Sequence, residues 1–315
     1  MKKSVLLTFL FASVTLAACG QNAKTKAKAV PASNNTLLWR ISGKNLAKPS
    51  YLFGTMHLLC GDDIQLSDSL KTAIQGSDNV YLELELDNLF EMFGAMGKMN
   101  MRGDTTLGDL LTKEEYAKVK AYFDESGGMI PFAMLETMKP MLSATLIAQQ
   151  QSQSSNACDN MVAMEQLIMK EAKEAEKKIK GLETMNYQLG IFDKIPYKLQ
   201  AKQLYQMISK SNDTSDKNEL AILTNAYRSQ QLEKLEELTV KDDMGIQNFT
   251  ELLLYQRNEN WAKKLDSLMI DKSLVVAVGA GHLPGKRGVI NLLRQAGYKV
   301  EPVKNEMIKK KSREI

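Results

Sequence analysis

The most continuous apolar run of the chain is Leu274-Val275-Val276-Ala277-Val278, which predicts a strand from Ser273 to Gly279 covered on both faces, as central parallel strands are. Thr36 to Ile41 and Ser50 to Gly54 read as two further strands. Gly43 and Pro49 punctuate the loop between them, which favours an N-terminal hairpin. Leu66, Leu70, Ala73 and Ile74 recur at helical spacing. From Asn79 to Asp87 the period changes to two. Val80, Leu82, Leu84 and Leu86 fall on one face, and Tyr81, Glu83, Glu85 and Asp87 on the other, so the pattern predicts a strand whose acids point the same way. The middle is helical. Thr112 and Glu115 have capping-box spacing, Pro131 opens a helix to about Gln151, and another runs from about Asn160 to Lys178. Lys178 to Glu183 reads as a short strand. Helices follow over about Lys217 to Leu238, Gln247 to Met269 and Gly288 to Ala296, before a last strand, Tyr298 to Val303. The alternation of the two periods predicts an α/β fold: a central, largely parallel sheet flanked by helices, with a large helical insertion between about Leu89 and Lys178. No short solenoid period is present.

Composition adjusts this picture mainly at the ends. The 315 residues are 44% hydrophobic, enough to supply the core of one large domain, which the pattern places at residues 36–303. Before it, Met1-Lys2-Lys3, an apolar stretch Val5 to Leu16, and Leu16-Ala17-Ala18-Cys19-Gly20 resemble a bacterial lipoprotein signal. This predicts cleavage after residue 18, acylation of Cys19 and a membrane partner through that anchor, in the cell envelope outside the cytoplasm. Residues 19–35 read as a flexible tether, and 304–315 as a basic tail expected to fray from Lys304. The formal charge is +4, and loss of Lys2 and Lys3 leaves +2, so no nucleic-acid footprint is present. Two cysteines remain, Cys60 and Cys158, and an oxidising compartment would allow them to pair or to stay as separate thiols. Methionine is unusually dense between Phe90 and Met101. The expected role of this cluster is gap-filling core on one helix, and the alternative is a soft apolar surface for a ligand. Oligomeric state leaves no mark in the pattern.

The candidate chemistry centres on histidine, because the chain has two and each stands three residues after a glycine at the end of an apolar run: Gly54-Thr55-Met56-His57 and Gly279-Ala280-Gly281-His282. Carboxyl ends of strands are where open α/β sheets form sites. Imidazole is the usual general base and a common metal ligand. Two histidines are too few for a hydrolytic metal centre, so carboxylates must complete one; Glu83, then Glu85 and Glu183, are the candidates. A structural role for the histidines and a solvated face for the acids remain open on spacing alone.

Several segments, in order, resemble the TraB/GumN family, the superfamily that includes the animal Tiki proteins. They are Tyr51-Leu52-Phe53-Gly54-Thr55-Met56-His57, Val80-Tyr81-Leu82-Glu83-Leu84, Gly181-Leu182-Glu183-Thr184 with Gln188-Leu189, Gln256-Arg257-Asn258-Glu259-Asn260-Trp261, and Val276-Ala277-Val278-Gly279-Ala280-Gly281-His282-Leu283. The resemblance implies a hydrolase, metal-dependent in Tiki-type members, with manganese or cobalt favoured and zinc admissible, acting on an amide, peptide or ester. It implies His57, Glu83 and His282 as metal ligands or bases, with Glu183 and Arg257 as supporting residues and Trp261 packing near Arg257. Distant relatives bind haem, which leaves a non-catalytic envelope lipoprotein binding haem, a metal or a peptide as the alternative.

Overall fold

β-Branched and aromatic residues at the predicted strands assemble a six-stranded sheet in the order β6-β4-β7-β2-β1-β8. Its strands are β1 (Leu38–Ser42), β2 (Ser50–Thr55), β4 (Asn79–Leu82), β6 (Lys178–Gly181), β7 (Leu274–Gly279) and β8 (Lys299–Pro302), while β3 (Leu59–Cys60) and β5 (Met161–Val162) form a separate two-stranded ribbon. The computed structural model describes residues 35–57, 59–61, 64–125, 131–154, 161–210, 214–240 and 249–307, all within one compact unit, Ala32–Ile315. β6, β4, β7 and β2 run parallel, and β1 alone is antiparallel to its neighbours. The hairpin β1–β2 and the central position of β7 match the sequence pattern. β7 is at most 1% exposed from Leu274 to Val278, because α/β crossovers cover both faces of a parallel strand.

The expected alternating strand from Asn79 to Asp87 is corrected in two ways. β4 ends at Leu82, and all four of its residues are buried. Residues on both faces of an interior parallel strand are covered, so the true strand lacks a polar face, and Glu83 begins the loop beyond it.

Among the described residues the helices are α1 (Asp68–Gly76), α2 (Leu89–Ala95), α3 (Leu107–Leu110), α4 (Lys113–Glu125), α5 (Phe132–Leu135), α6 (Pro140–Ser154), α7 (Met164–Glu174), α8 (Met185–Phe192), α9 (Tyr197–Lys210), α10 (Thr214–Arg228), α11 (Leu232–Val240), α12 (Gln256–Leu268) and α13 (Val289–Gln295). The helix expected from Pro131 is two helices. Pro140 opens the second, where its missing N–H costs nothing. The helix expected from about Lys217 to Leu238 is broken at Gln230, whose φ of 55° is incompatible with helix continuation. Helical segments build a second apolar cluster, with Leu107, Val119, Ile147 and Leu204 at its centre. α9 belongs to it, so the helical lobe extends past the predicted limit at Lys178.

Two expectations about surfaces also change. Lys304 to Met307 does not fray. Gln65 N–H donates to the Met307 carbonyl (2.8 Å), and Gln230 is hydrogen-bonded to both the backbone and the side chain of Asn305. The methionine-rich segment is core only at its end, where Met101 is buried; in α2 Phe90 is 91% and Phe93 70% exposed, Leu89, Met92 and Met96 are also at the surface, and within that helix only Ala95 is buried. Among the described residues no helix is long and apolar enough to cross a membrane. The lipobox at Cys19 and most of the tether lie outside the described residues. Cys60 is disulfide-bonded; Cys158, for which the sequence leaves both pairing with Cys60 and a separate thiol open, lies outside the described residues.

Candidate active site

Four adjacent strands deliver the site. Counting across the sheet, Glu183 follows β6, Glu83 follows β4, the turn Ala280–His282 follows β7, and His57 follows β2, each within three residues of the strand's carboxyl end. The two glycines before the histidines are there for close packing. A Cβ on Gly54 would stand 3.1 Å from Ala280 and Leu283, so its absence lets the two histidine turns nest. A Cβ on Gly279 would stand 3.2 Å from the Glu83 carboxylate. Bare backbone there allows the Gly279 N–H to donate to Glu83 Oε1 at 2.8 Å.

Arg257 gathers these ends. It is the second residue of α12, which starts directly after a π-helical segment Glu251–Tyr255, a widened turn that such functional positions often carry. Its Nε donates to Glu183 (3.0 Å to Oε2) and its Nη2 to Glu83 Oε2 (2.5 Å). Nη1 donates to the Leu253 carbonyl (2.9 Å) and faces His282 Nε2 at 3.2 Å. Gln188 Nε2 bridges the acids, at 3.1 Å from Glu183 and 3.4 Å from Glu83. Trp261, fully buried, lies under the guanidinium (4.7 Å to the ring centre) and tilts against the His282 ring at 4.5 Å, so core packing and stacking on Arg257 are one arrangement.

The tautomer of His282 follows from its neighbours. Asn258 Nδ2 donates to the Arg287 carbonyl (2.9 Å), which turns Asn258 Oδ1 toward His282 Nδ1 at 2.6 Å. Nδ1 therefore carries the proton, and the Nε2 lone pair faces Arg257 and, at 3.9 Å, Glu83 Oε1. Burial is the main cause that lowers the His282 pKa to about 4; Arg257 and His57 add to it against the opposing pull of Glu83. Burial resists ionisation of Glu83, yet His282, Arg257 and the Gly279 N–H outweigh it and hold that carboxyl at about 2. Two carboxylates around one guanidinium and a neutral imidazole leave a formal surplus of one negative charge.

His57 is differently placed. Its side chain is 73% exposed, and Nδ1 lies 2.9 Å from Oε1 of Glu165, which is almost wholly buried. The Glu165 hydrogen bond is the main cause that raises the His57 pKa, with burial opposing. Glu165 sits in the first turn of α7, which docks on the β2 exit through a Met164 N–H bond to the Met56 carbonyl (3.2 Å).

The structure thus unites Glu83, Glu183, Arg257 and His282, and it does not bring His57 into direct contact with them. Glu85 lies apart, on an open rim with Asp87 and Lys173. Sequence reasoning missed Glu165, Asn258 and Gln188 as site residues. Asn258 and Gln188 lie inside two of the motifs, whereas the one hint of Glu165 was a single acid heading a helix after the apolar run Met161 to Met164.

For a divalent metal, donor type and orientation fit. Each histidine has Nδ1 facing an acceptor and Nε2 turned away from it, the second-shell pattern of metal-ligating histidines, and Glu83 supplies an ionised carboxylate beside a negative surplus. Position differs from the sequence expectation. Among the described residues no three His, Cys, Asp or Glu side chains converge as a ligand group, because Glu165 holds His57 aside and the Arg257 guanidinium lies against Glu83 and His282.

The profile of the TraB/PrgY/gumN family matches residues 37–302. Similar curated proteins include metalloprotease TIKI2 of Danio rerio, 26% identical, with 85% of this chain and 61% of the relative covered. Metalloprotease TIKI1 of Homo sapiens is 23% identical, with 85% and 62% covered. A metalloprotease TIKI homolog of Amphimedon queenslandica is 23% identical, with 95% and 66% covered. The chain spans about three fifths of the length of the first two and about two thirds of the third. No solved structure matches.

Proposed function

Because the chain belongs to the TraB/PrgY/gumN family, we propose that it is a hydrolase that activates water against an amide, peptide or ester carbonyl, working with a divalent metal as its Tiki relatives are named to do. The observation that carries this reading is the convergence of Glu183, Glu83 and His282 on Arg257 at the carboxyl ends of adjacent parallel strands, with His57 on the next strand end. His57, Glu83 and His282 are the residues that would hold the ion, manganese or cobalt by family resemblance, with zinc also admissible. When bound, such an ion supplies a Lewis acid for the carbonyl and a lowered pKa for water.

The chain's own residues do the rest. His57, exposed and held at Nδ1 by Glu165, presents Nε2 as a ligand where water approaches from solvent. His282, neutral and buried, keeps an Nε2 lone pair directed at the charged cluster. Arg257 keeps Glu83 ionised and supplies a fixed positive charge beside any developing oxyanion, stabilisation that needs no reorganisation during reaction. We place the protein in the bacterial envelope, lipid-anchored at Cys19 on the strength of its lipobox, with a peptide or small-molecule substrate.

The test uses full-length protein purified without a histidine tag, stripped of metal and reloaded with manganese, cobalt or zinc. Metal content is measured together with hydrolysis of a peptide library and of ester substrates. Stoichiometric metal and turnover, both lost in His282→Ala and reduced in His57→Ala, are expected. Parent protein that takes up metal or haem through these histidines without turnover would replace the hydrolase with the binding lipoprotein.

A further inference from the structure

Glu165 is a carboxylate in an expensive place. It is 7% exposed, and Oε2 makes no hydrogen bond. The Thr55 hydroxyl, 2% exposed, faces the Glu165 carboxyl and helps hold its pKa down, though the two groups stand outside full hydrogen-bond geometry. A buried ionisable group with an unsatisfied oxygen disfavours folding relative to an apolar residue of similar volume. The His57 hydrogen bond leads the interactions that outweigh burial and hold the Glu165 carboxyl below its usual range, but the gain is limited because the histidine is exposed and the pair is screened by water. Stability therefore does not account for Glu165, whereas geometry does. Oε1 receives His57 Nδ1 at 2.9 Å, and α7 is pinned beneath the histidine turn by the Met164–Met56 backbone bond. Met56 and His57 belong to no strand, so no sheet pairing holds the histidine, and the carboxylate restrains the ring.

We propose that Glu165 is a positioning residue for His57, holding the imidazole in the Nδ1–H tautomer with Nε2 directed to solvent and substrate. The role parallels that of Asn258 at His282: each Gly-x-x-His turn has its own acceptor on a helix, a buried carboxylate for the exposed ring and an amide for the buried one. It rests on the hydrolase reading only for its purpose; the placement of the proton on His57 stands apart from turnover.

The experiment reads the tautomer directly. With two histidines in the chain, long-range proton–nitrogen spectra of 15N-histidine-labelled, metal-free protein at pH 9 give two ring patterns, and His57→Ala assigns them. The parent and Glu165→Gln, which keeps an acceptor, are expected to show His57 protonated at Nδ1. Glu165→Met, which fills the same space without an acceptor, is expected to lose that preference for Nε2–H or a mixture, with an unfolding midpoint unchanged or raised. Hydrolysis, where the parent shows it, should fall at least tenfold in kcat in Glu165→Met and recover in part in Glu165→Gln. An unchanged His57 tautomer in Glu165→Met overturns the proposal, and so does a lowered midpoint as the only effect. A parent without turnover overturns the hydrolase reading alone, because the tautomer spectra are read without substrate or metal.

Discussion

Replacing Arg257 by alanine is the sharpest single perturbation of this architecture. It strips one guanidinium from two carboxylates of which Glu183 is buried and Glu83 nearly so. Breaking a buried pair by removing one partner costs about 3–5 kcal/mol, because a charge is left without compensation. The pKa measures the whole cluster's hold on Glu83, of which Arg257 is one source beside His282 and the Gly279 N–H. A carboxyl held at about 2 instead of 4.5 corresponds to about 3 kcal/mol, at about 1.4 kcal/mol per pH unit. The sign is fixed by linkage. The folded pKa of Glu83 is depressed, so its contribution is present above pH 4.5 and is lost as the pH falls through about 2. Without Arg257, burial loses one of the groups that oppose it at Glu83, the pKa rises, and the variant takes up protons on acidification that the parent does not. Its deficit should therefore be about 3–5 kcal/mol at pH 7 and should shrink toward pH 4.5. Urea unfolding of metal-free parent and variant, followed by circular dichroism across that range, measures it. A deficit below about 1 kcal/mol at neutral pH, the value typical of a solvent-screened pair, would refute the account, as would a deficit that does not change with pH.

The two histidines should titrate on opposite sides of the ordinary imidazole value of 6.5 in metal-free protein, His57 above it and His282 near 4. Because the His282 pKa is depressed, folding stability should fall as the pH drops from 6.5 to 4; two coincident NMR titration curves would rule this out. On α2, Phe90→Ser and Phe93→Ser together should leave the unfolding free energy within about 0.5 kcal/mol per site, since exposed side chains away from packing contribute little. A loss of several kcal/mol would show that the segment packs as core after all.

The sequence made the sheet readable where one physical cause dominated. A continuous apolar run can satisfy itself as a doubly covered strand, and β7 lies where Leu274 to Val278 predict. Alternation misled at Asn79 to Asp87, since the last polar and apolar positions there belong to a loop that sheet geometry ends at Leu82. Of the site, Glu83, Glu183, Arg257 and His282 were legible because each hangs on a strand end or a recognisable motif. Glu165 was not, because what makes it matter is burial beneath His57, and one sequence position cannot reveal which helix start docks on a distant turn. Asn258 was visible as a letter in a motif, but its task depends on the Arg287 carbonyl that orients its amide. The family membership extends across residues 37–302 and so covers the described sheet.

β6 has a consequence for how this site would fail. It is one of the two edge strands, four residues long, joined to the sheet through β4, and it carries Glu183 just beyond its last residue. Lys178 and Lys180 on that edge discourage another chain from adding to it. Edges open locally at lower free energy than interiors. Unzipping β6 would withdraw Glu183 from Arg257 and break the Lys264 bonds to the Gly181 and Leu182 carbonyls while β7 stayed closed. The acid wall of the cluster is thus hung on the hem of the sheet, and the charge balance around Arg257 can be lost by fraying well before the molecule unfolds.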